Sequence, residues 1–412
     1  MTGLIRHLMF VGVMTGSLAC TRSPAPALTP LEQLGKSVFF DQRLSLGGNQ
    51  SCASCHGPQV GWTGELPPVN AGPAVYEGSV KGLYGNRKPP TVAYATAPVL
   101  HAMMKDGETL FVGGTFWDGR ATGERLGDPI AEQAQGPFVN PVEQALPDTG
   151  CVVRRVCSAT YIVGLESQFP GSCSIAWPSD VDAACALPTG TLRMAPQDRA
   201  KCDQAYDHIA TALATYERSR EVNPLSSKFD RYLAGEATLT TDEKTGLDLF
   251  VGRGKCANCH PVDRRPDGQP PLFTDFTFDN LGVPRNPENP WYHAGALNPA
   301  GAAWVDNGLG AFPGHAVGMA RAGRGEHGQA QGPHIAQCGP PPDPNLRQGL
   351  HAQRLLQDAE RPGALLQHAR CEARVRRVAQ GTRCARPQLL ARSGGHGKRQ
   401  QGRARQPRPE SS

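Results

Sequence analysis

Aromatic residues and long apolar runs are scarce in this sequence. Phe, Trp and Tyr make up 6% of its 412 residues, hydrophobic residues make up 39%, and the mean hydropathy is −0.40. This composition excludes a multispan membrane protein, because each spanning helix needs about 20 predominantly apolar residues. It does not indicate a wholly disordered chain either. With 48 Gly and 37 Pro, we expect a loop-rich protein long enough for two or three domains.

An overall acidic balance is also missing, since the formal net charge is +5. Residues 314–412 account for this with 17 basic and six acidic residues, whereas the preceding 313 residues carry 25 basic and 31 acidic residues. The stretch 314–412 has no sustained helical or strand period and is typical of a disordered basic tail. Because the body is acidic, we expect no nucleic-acid partner.

The first 20 residues have the pattern of an export signal. An apolar run at Leu8–Met14 follows Arg6, and a small-residue end closes at Cys20. The run is too short to span a bilayer. Leu-Ala-Cys resembles a bacterial lipobox, which leaves open whether Cys20 is lipidated, marks a simple cleavage site or is structural. We expect a periplasmic protein in an oxidising compartment, with membrane contact only through a lipid anchor.

An internal repeat links the two halves of the chain. Leu28–Phe39 followed by Cys52–His56 parallels Leu239–Phe250 followed by Cys256–His260. In each copy a Thr and a Glu three residues later predict a capping box, so a short helix precedes the cysteine pair. Two equivalent domains explain this repeat most simply.

Cys-x-x-Cys-His is the attachment signature of c-type haem, in which two thiols bind the haem vinyl groups and the His binds the iron. One copy alone would also suit a redox pair or half of a zinc site. Zinc ribbons, however, place two cysteine pairs about 15–20 residues apart, and these pairs lie about 200 residues apart. We therefore predict two covalent haems, with His56 and His260 as iron ligands and four cysteines as attachment points: Cys52, Cys55, Cys256 and Cys259.

A cysteine-rich stretch separates the two copies. Five cysteines lie around a Ser/Pro/Gly-rich insertion, which predicts a disulfide-stapled loop with one thiol left over: Cys151, Cys157, Cys173, Cys185 and Cys202. The period of Gln197–Val222 predicts a helix that opens the second domain. The predicted organisation is a signal peptide (1–20), an N-terminal haem domain (21–150), the insertion (151–196), an incomplete C-terminal haem domain (197–313) and the tail (314–412).

Together, the ordered motifs resemble the bacterial di-haem cytochrome c peroxidase family, and most closely its open-site methylamine-utilisation (MauG-like) subgroup. The resemblance runs from about Leu28 to Leu309. It implies a mainly α, loop-rich fold of two cytochrome c-like helical domains, each with one covalent haem, and a calcium ion near their interface. The residues that carry it include Phe39–Ser45, Gly85–Thr91, Phe116–Ala121 and Phe273–Gly282, besides the two haem motifs.

The resemblance also implies a peroxide site at the first haem. Gln133, Pro137 and Glu143 reproduce the family's distal spacing. A carboxylate there can take a proton from peroxide and return it to the leaving oxygen, which is the role we expect for Glu143, with Gln133 orienting the peroxide. From the residues alone, Glu143 also suits the N-terminus of a helix that follows Asn140-Pro141.

Two further residues take roles by resemblance. Trp117, in the family's Phe-Trp-Asp-Gly-Arg motif, would relay electrons between the haems, although an ordinary core aromatic also fits the residue type. Asn86 would bind calcium as a hard oxygen ligand, although Gly-Asn also suits a turn. No His lies between His56 and His101, which favours a permanently open peroxide site over one blocked by a distal His.

The resemblance ends after Leu309. Residues 326–339 can be back-translated so that the next frame reads MGKHKVPTLRNV, and residues 345–371 permit TFVKAYTHNGYFKTLNDLVHFYNTRDV. Both are sequences that the family has at these places, so we predict a frameshift near Leu309–His315. It would place Leu350 where the subgroup has a tyrosine ligand to the second haem, and Met319 is a poor substitute.

These features predict a haem peroxidase that reduces hydrogen peroxide with electrons from a small cytochrome c or a cupredoxin. A MauG-like oxidase that acts on a protein partner through high-valent haem is an alternative within the enzyme class. A non-catalytic electron carrier or an inactive truncated paralogue is the alternative that the altered C-terminus favours.

Overall fold

The computed structural model describes residues 27–105, 107–279, 281, 283–311 and 330–331. The predicted signal peptide, Cys20, Met319, Leu350 and most of the predicted tail lie outside the described residues. The ten α-helices in the described part are α1 Pro30–Phe39, α2 Cys52–Cys55, α3 Pro67–Ala71, α4 Pro129–Val139, α5 Thr149–Val156, α6 Ile162–Gln168, α7 Val181–Ala184, α8 Pro196–Glu217, α9 Lys228–Leu233 and α10 Thr241–Val251. The predicted mainly helical class is confirmed.

The two helices that precede the cysteine pairs begin as their sequences predict. The Thr29 hydroxyl accepts from the Glu32 amide, and the Glu32 carboxylate accepts from the Thr29 amide. Thr240 and Glu243 form the same reciprocal pair at α10. A capping box satisfies two backbone donors that a helix start otherwise leaves without partners. Both predicted capping boxes are therefore confirmed.

Helix α8 is the centre of the main core. It packs against α1, α4 and α5, and Ala205, Ile209 and Leu213 on its apolar face are buried. The approach to α1 is so close that a Cβ added at Gly35 would lie 2.0 Å from the Ala212 carbonyl oxygen. We predicted that this helix opens the second domain, but in the structure its apolar face belongs to the N-terminal core.

Two disulfides hold the insertion, as predicted. They join Cys151 to Cys185 and Cys157 to Cys173. The remaining thiol, Cys202 on α8, is free and buried. The predicted stapled loop with one unpaired cysteine is confirmed, and the structure supplies the pairing.

The described part of the chain has four short strands, arranged in two antiparallel pairs. Strands β1 (His101–Lys105) and β2 (Glu108–Val112) form an antiparallel hairpin, and His101 lies exposed on it. Strand β3 (Phe278–Asp279) pairs with β4 (Ala330–Gln331), so these two residues of the predicted tail have regular structure. Leu100, Phe111, Phe278 and Leu309 form a small second core. No helix within the described ranges is long and apolar enough to cross a membrane.

Candidate haem sites

The cysteines of the first motif lie on the short helix α2, and His56 follows directly after it. The His56 amide donates to the Cys52 carbonyl at 2.9 Å. The His56 Nδ1 atom donates to the Trp62 carbonyl at 3.2 Å. A histidine that binds a metal through one ring nitrogen is usually oriented by a hydrogen bond from the other. The imidazole is therefore oriented by the protein backbone.

Trp62 supplies this carbonyl from an unusual backbone conformation. Its backbone φ is +61°, in the left-handed region that residues other than Gly rarely adopt. Its buried indole packs edge-on against Phe39 of α1 and Tyr216 of α8, with ring centroids 5.8 Å and 6.0 Å away. The core thus fixes the residue that orients His56.

The second motif repeats this arrangement. The His260 amide donates to the Cys256 carbonyl at 2.9 Å, and the His260 Nδ1 atom donates to the Phe273 carbonyl at 2.8 Å. Phe273 is buried, and its φ of +54° is again left-handed. Two motifs about 200 residues apart therefore orient their histidines by the same device. Neither carbonyl partner could be predicted from the sequence, because any residue can supply a carbonyl.

A cavity opens beside the first motif. Its empty volume, counted to include open solvent at its mouth, is about 490 Å³. Both thiols of the first motif and His56 line it, and of its described lining residues His56 alone is a histidine. The other lining residues are Phe39, Gln50, Ser51, Val92, Gln133, Ala134, Pro137, Glu143, Gln144, Leu213 and Glu217.

The three predicted distal residues all reach this cavity. Gln133 and Pro137 lie one turn apart on α4, and Glu143 lies in the turn that follows this helix. The Asn140 side-chain amide donates to the Glu143 carboxylate at 2.5 Å. The alternative position for Glu143, at the start of a helix, is wrong, because Glu143 lies in a turn over residues 141–144 and α5 begins only at Thr149.

Burial sets the charge states in the cavity. It lowers the pKa of His56 to about 4, although hydrogen bonds to the Trp62 and Pro90 backbone act to raise it. Burial raises the pKa of the Glu143 carboxyl, and the nearby Arg120 charge and the Asn140 hydrogen bond only partly oppose this. Burial also raises the pKa of the Cys55 thiol to about 12. The imidazole is therefore neutral, as a metal ligand must be.

These residues fit a covalently attached haem. The cavity presents two thiols and an oriented, neutral imidazole between apolar side chains such as Leu213 and Val92. The buried Gln144 Oε1 atom in its wall has no hydrogen-bond partner among the described residues, as is expected where a bound group or water completes the site. Cys52, Cys55 and His56 would hold one haem, and Cys256, Cys259 and His260 would hold the other.

Trp117 lies next to a network of charges that joins both halves of the chain. The Arg87 Nη1 atom donates to Asp118 at 2.5 Å, and its Nε atom donates to Asp306 at 2.7 Å. Arg120 also donates to Asp118, at 2.9 Å. Trp117 is half-buried and is not among the described residues that line the cavity. Its predicted relay between the haems stays a prediction.

Asn86 adjoins this network. Its backbone carbonyl accepts from the Asn289 side-chain amide at 3.0 Å. In the described part of the chain, no group of three or more His, Cys, Asp or Glu side chains is placed to hold a metal ion. The calcium site at Asn86 stays a prediction.

Gln144 and Glu217 are among the cavity residues that were not predicted as site residues. Gln144 directly follows Glu143, and nothing in its spacing marks it. Glu217 lies four residues after Leu213 on α8, and this spacing places it on the buried face of the helix. The helical period therefore predicts burial of Glu217, although a glutamate at a helix end is usually expected to be exposed.

A mainly helical protein with two Cys-x-x-Cys-His motifs, each with a backbone-oriented histidine, has the features of a c-type haem protein. The chain belongs to the di-haem cytochrome c peroxidase family, whose model matches residues 29–238. The predicted family is confirmed.

Curated relatives and a solved structure agree with this family. The chain is 33% identical over 291 residues to the methylamine utilization protein MauG of Paracoccus denitrificans, covering 70% of this chain and 65% of that protein. It is 29% identical over 274 residues to a cytochrome c551 peroxidase of Nitrosomonas europaea, covering 65% and 61%. The chain thus spans less than two thirds of the length of these relatives.

The crystal structure of the diheme peroxidase BthA from Burkholderia thailandensis matches with a TM-score of 0.55 at 28% identity. The match covers 75% of this chain and 68% of that one. The fold described above is therefore that of a diheme peroxidase over most of its length.

Proposed function

We propose that this protein is a di-haem c-type peroxidase that reduces hydrogen peroxide to water with electrons from a small redox protein. A small cytochrome c or a cupredoxin is the donor class. The supporting observation is that Glu143 and Gln133 line the same cavity as His56 and the first cysteine pair. Proton-handling groups and the haem-attachment residues thus share one enclosed space.

The bound haems would supply the iron and the electron transfer. Reduction of one peroxide molecule takes two electrons and two protons and yields two water molecules. Glu143 would take a proton from one oxygen of peroxide and return it to the other oxygen as the O–O bond breaks. Gln133 donates a hydrogen bond that orients the peroxide, and Pro137 shapes the wall beside it.

Electrons would enter at the His260 haem and pass Trp117 to the His56 haem. The Arg87–Asp118 ion pair, at 2.5 Å, holds the segment that carries Trp117 in place. This supports a fixed position for the indole, which a relay requires.

A second candidate function is oxidation of a protein partner. The similarity to MauG, at 33% identity, and the presence of only one histidine among the described cavity-lining residues favour it. The same Glu143 chemistry would then serve a reaction whose electrons come from that partner. In both functions, we propose that the sixth position of the first haem is open in the resting protein.

Replacing Glu143 by Gln tests the peroxidase proposal. We expect the rate of peroxide-dependent oxidation of a reduced small cytochrome c to fall by about 10²–10⁴-fold, the usual contribution of a general acid–base group. Haem content should stay unchanged. The matched control is Glu124→Gln, because Glu124 is exposed and lies outside the cavity.

Two outcomes would contradict the proposal. A two-haem protein with no peroxide-dependent oxidation would leave only the electron-carrier interpretation. An unchanged rate in the Glu143→Gln variant would remove Glu143 from the reaction. Electron paramagnetic resonance of the resting ferric protein checks the open position, because a haem with two protein ligands would give a low-spin signal and an open haem a high-spin one.

We also propose a periplasmic location. The disulfides Cys151–Cys185 and Cys157–Cys173 support it, because such bonds persist in oxidising compartments. Cell fractionation with a C-terminal epitope is the direct measurement. Recovery in the cytoplasm with free thiols at these four positions would contradict it.

A further inference from the structure

Glu217 is a carboxyl group of the cavity that the proposed peroxide chemistry does not use. It is the last residue of α8, its exposed fraction is 6%, and it lines the cavity together with Cys52 and Glu143. Glutamate is almost never buried to this degree unless it is paired. Its burial therefore points to a functional role for its carboxyl group.

The neighbouring charges are engaged elsewhere. The Arg218 guanidinium donates to both Asp128 carboxylate oxygens, at 2.7 Å and 2.6 Å. Lys36 of α1 pairs with Glu221 at 2.7 Å. Over the described ranges, no cation forms a salt bridge with the Glu217 carboxylate. An ionised Glu217 would therefore carry a largely uncompensated charge in the cavity.

Burial accordingly raises the pKa of Glu217 to about 8, with the Arg218 charge opposing this and the Asp128 charge adding to it. The other titratable groups around it are Cys52 and Glu143 in the cavity wall and Tyr216 beside it on α8. Glu217 and Cys52 line the same cavity. A haem attached at Cys52 would therefore share this cavity with Glu217.

We propose that Glu217 is a redox-tuning residue that couples reduction of the haem held by Cys52, Cys55 and His56 to uptake of a proton. A negative charge in a poorly solvated cavity stabilises the ferric over the ferrous haem and so lowers the potential. A neutral Glu217 removes this effect. Where Glu217 is ionised, ferric haem takes one electron from the donor, and the Glu217 carboxylate takes one proton from solvent.

This inference rests on the proposed haem at the first motif. It predicts that the potential of that haem falls as pH rises through the alkaline side of neutrality. The reason is that the ionised fraction of Glu217 grows with pH, and the ionised form favours the ferric haem.

The test is a spectroscopic redox titration of the full-length two-haem protein across the pH range on either side of neutrality. The signal is taken from the haem whose ferrous spectrum changes with carbon monoxide. We expect the fall in wild-type potential above neutral pH to be absent in Glu217→Gln, whose potential should stay near the acidic wild-type value. Glu221→Gln is the matched control, because Glu221 lies only four residues after Glu217 but is paired with Lys36; it should behave as wild type. Glu143→Gln should also keep the alkaline fall.

Several results would overturn the inference. One is a wild-type potential that does not change with pH, and another is an alkaline fall that persists in Glu217→Gln. If the fall in potential is lost only in Glu143→Gln, the coupled carboxylate is Glu143 and not Glu217. If Glu217→Gln fails to take up haem, Glu217→Asp, which keeps the carboxyl group, must show a shifted but present fall. Mass spectrometry of the Cys52–His56 peptide separates the two proposals, since a peptide without haem refutes the proposed function itself.

Discussion

Replacing Arg87 by Met removes the guanidinium that joins two distant parts of the chain. Arg87 donates to Asp118, 31 residues away, and through Nε and Nη2 to both carboxylate oxygens of Asp306, 219 residues away. Asp118 keeps a second partner, Arg120, in the variant. Asp306 loses both of its guanidinium hydrogen bonds and keeps only the Gly308 amide.

The size of the effect follows from burial. The exposed side-chain fractions are 21% for Arg87, 5% for Asp118 and 25% for Asp306. Removing one partner of a fully buried ion pair costs about 3–5 kcal/mol. Because Asp306 keeps some contact with water, we expect Arg87→Met to lower the free energy of unfolding by roughly 2–4 kcal/mol. The coupling energy between Arg87→Met and Asp306→Asn should be about 1–3 kcal/mol.

The assay is urea unfolding of the haem-loaded protein, followed by far-ultraviolet circular dichroism, for both single variants and the double variant. Arg154→Met is the control, since its ion pair with Asp182 is more exposed and should contribute at most about 1 kcal/mol. A loss of stability in Arg87→Met no larger than in this control, or a coupling energy near zero, would refute the reasoning.

The same ion pair predicts a pH dependence. Burial acts to raise the pKa of Asp306, but the Arg87 hydrogen bonds and charge and the Gly308 amide outweigh it, so this pKa lies below its ordinary value. A carboxyl whose pKa is depressed on folding contributes stability above its unfolded pKa, and this is lost as pH falls through the folded value. Wild type should therefore lose more stability than Asp306→Asn on acidification. An equal loss in both would contradict this account.

The remaining predictions concern packing and cross-links. Replacing both Cys151 and Cys185 by Ala should lower the free energy of unfolding by about 2–5 kcal/mol; a loss below the error of the urea titration would show that this disulfide does not constrain the fold. Gly35→Ala should cost roughly 1–3 kcal/mol, because the new Cβ would lie 2.0 Å from the Ala212 carbonyl oxygen. Gly164→Ala, whose nearest neighbour would be at 3.7 Å, should leave the urea midpoint nearly unchanged, and equal effects of the two glycine variants would contradict the close helix contact.

Local features of this protein were predictable from the sequence because short-range chemistry fixes them. The capping boxes at Thr29 and Thr240 need only a residue and its partner three positions later. The two Cys-x-x-Cys-His motifs and the spacing of Gln133, Pro137 and Glu143 are likewise readable in one dimension. These signals were enough to predict the family and some of the residues that line the cavity beside the first motif.

Other features depended on contacts between residues far apart in the chain. Helix α8 has an apolar face whatever it packs against, and only the tertiary structure assigned that face to the N-terminal core. The same holds for the disulfide pairing, for the Trp62 and Phe273 carbonyls that orient the two histidines, and for Arg87 between Asp118 and Asp306. Local spacing along the chain is enough to show which chemical groups this protein carries and how its helices begin. It cannot show which of these groups meet in the folded protein, because burial and long-range packing depend on the whole chain.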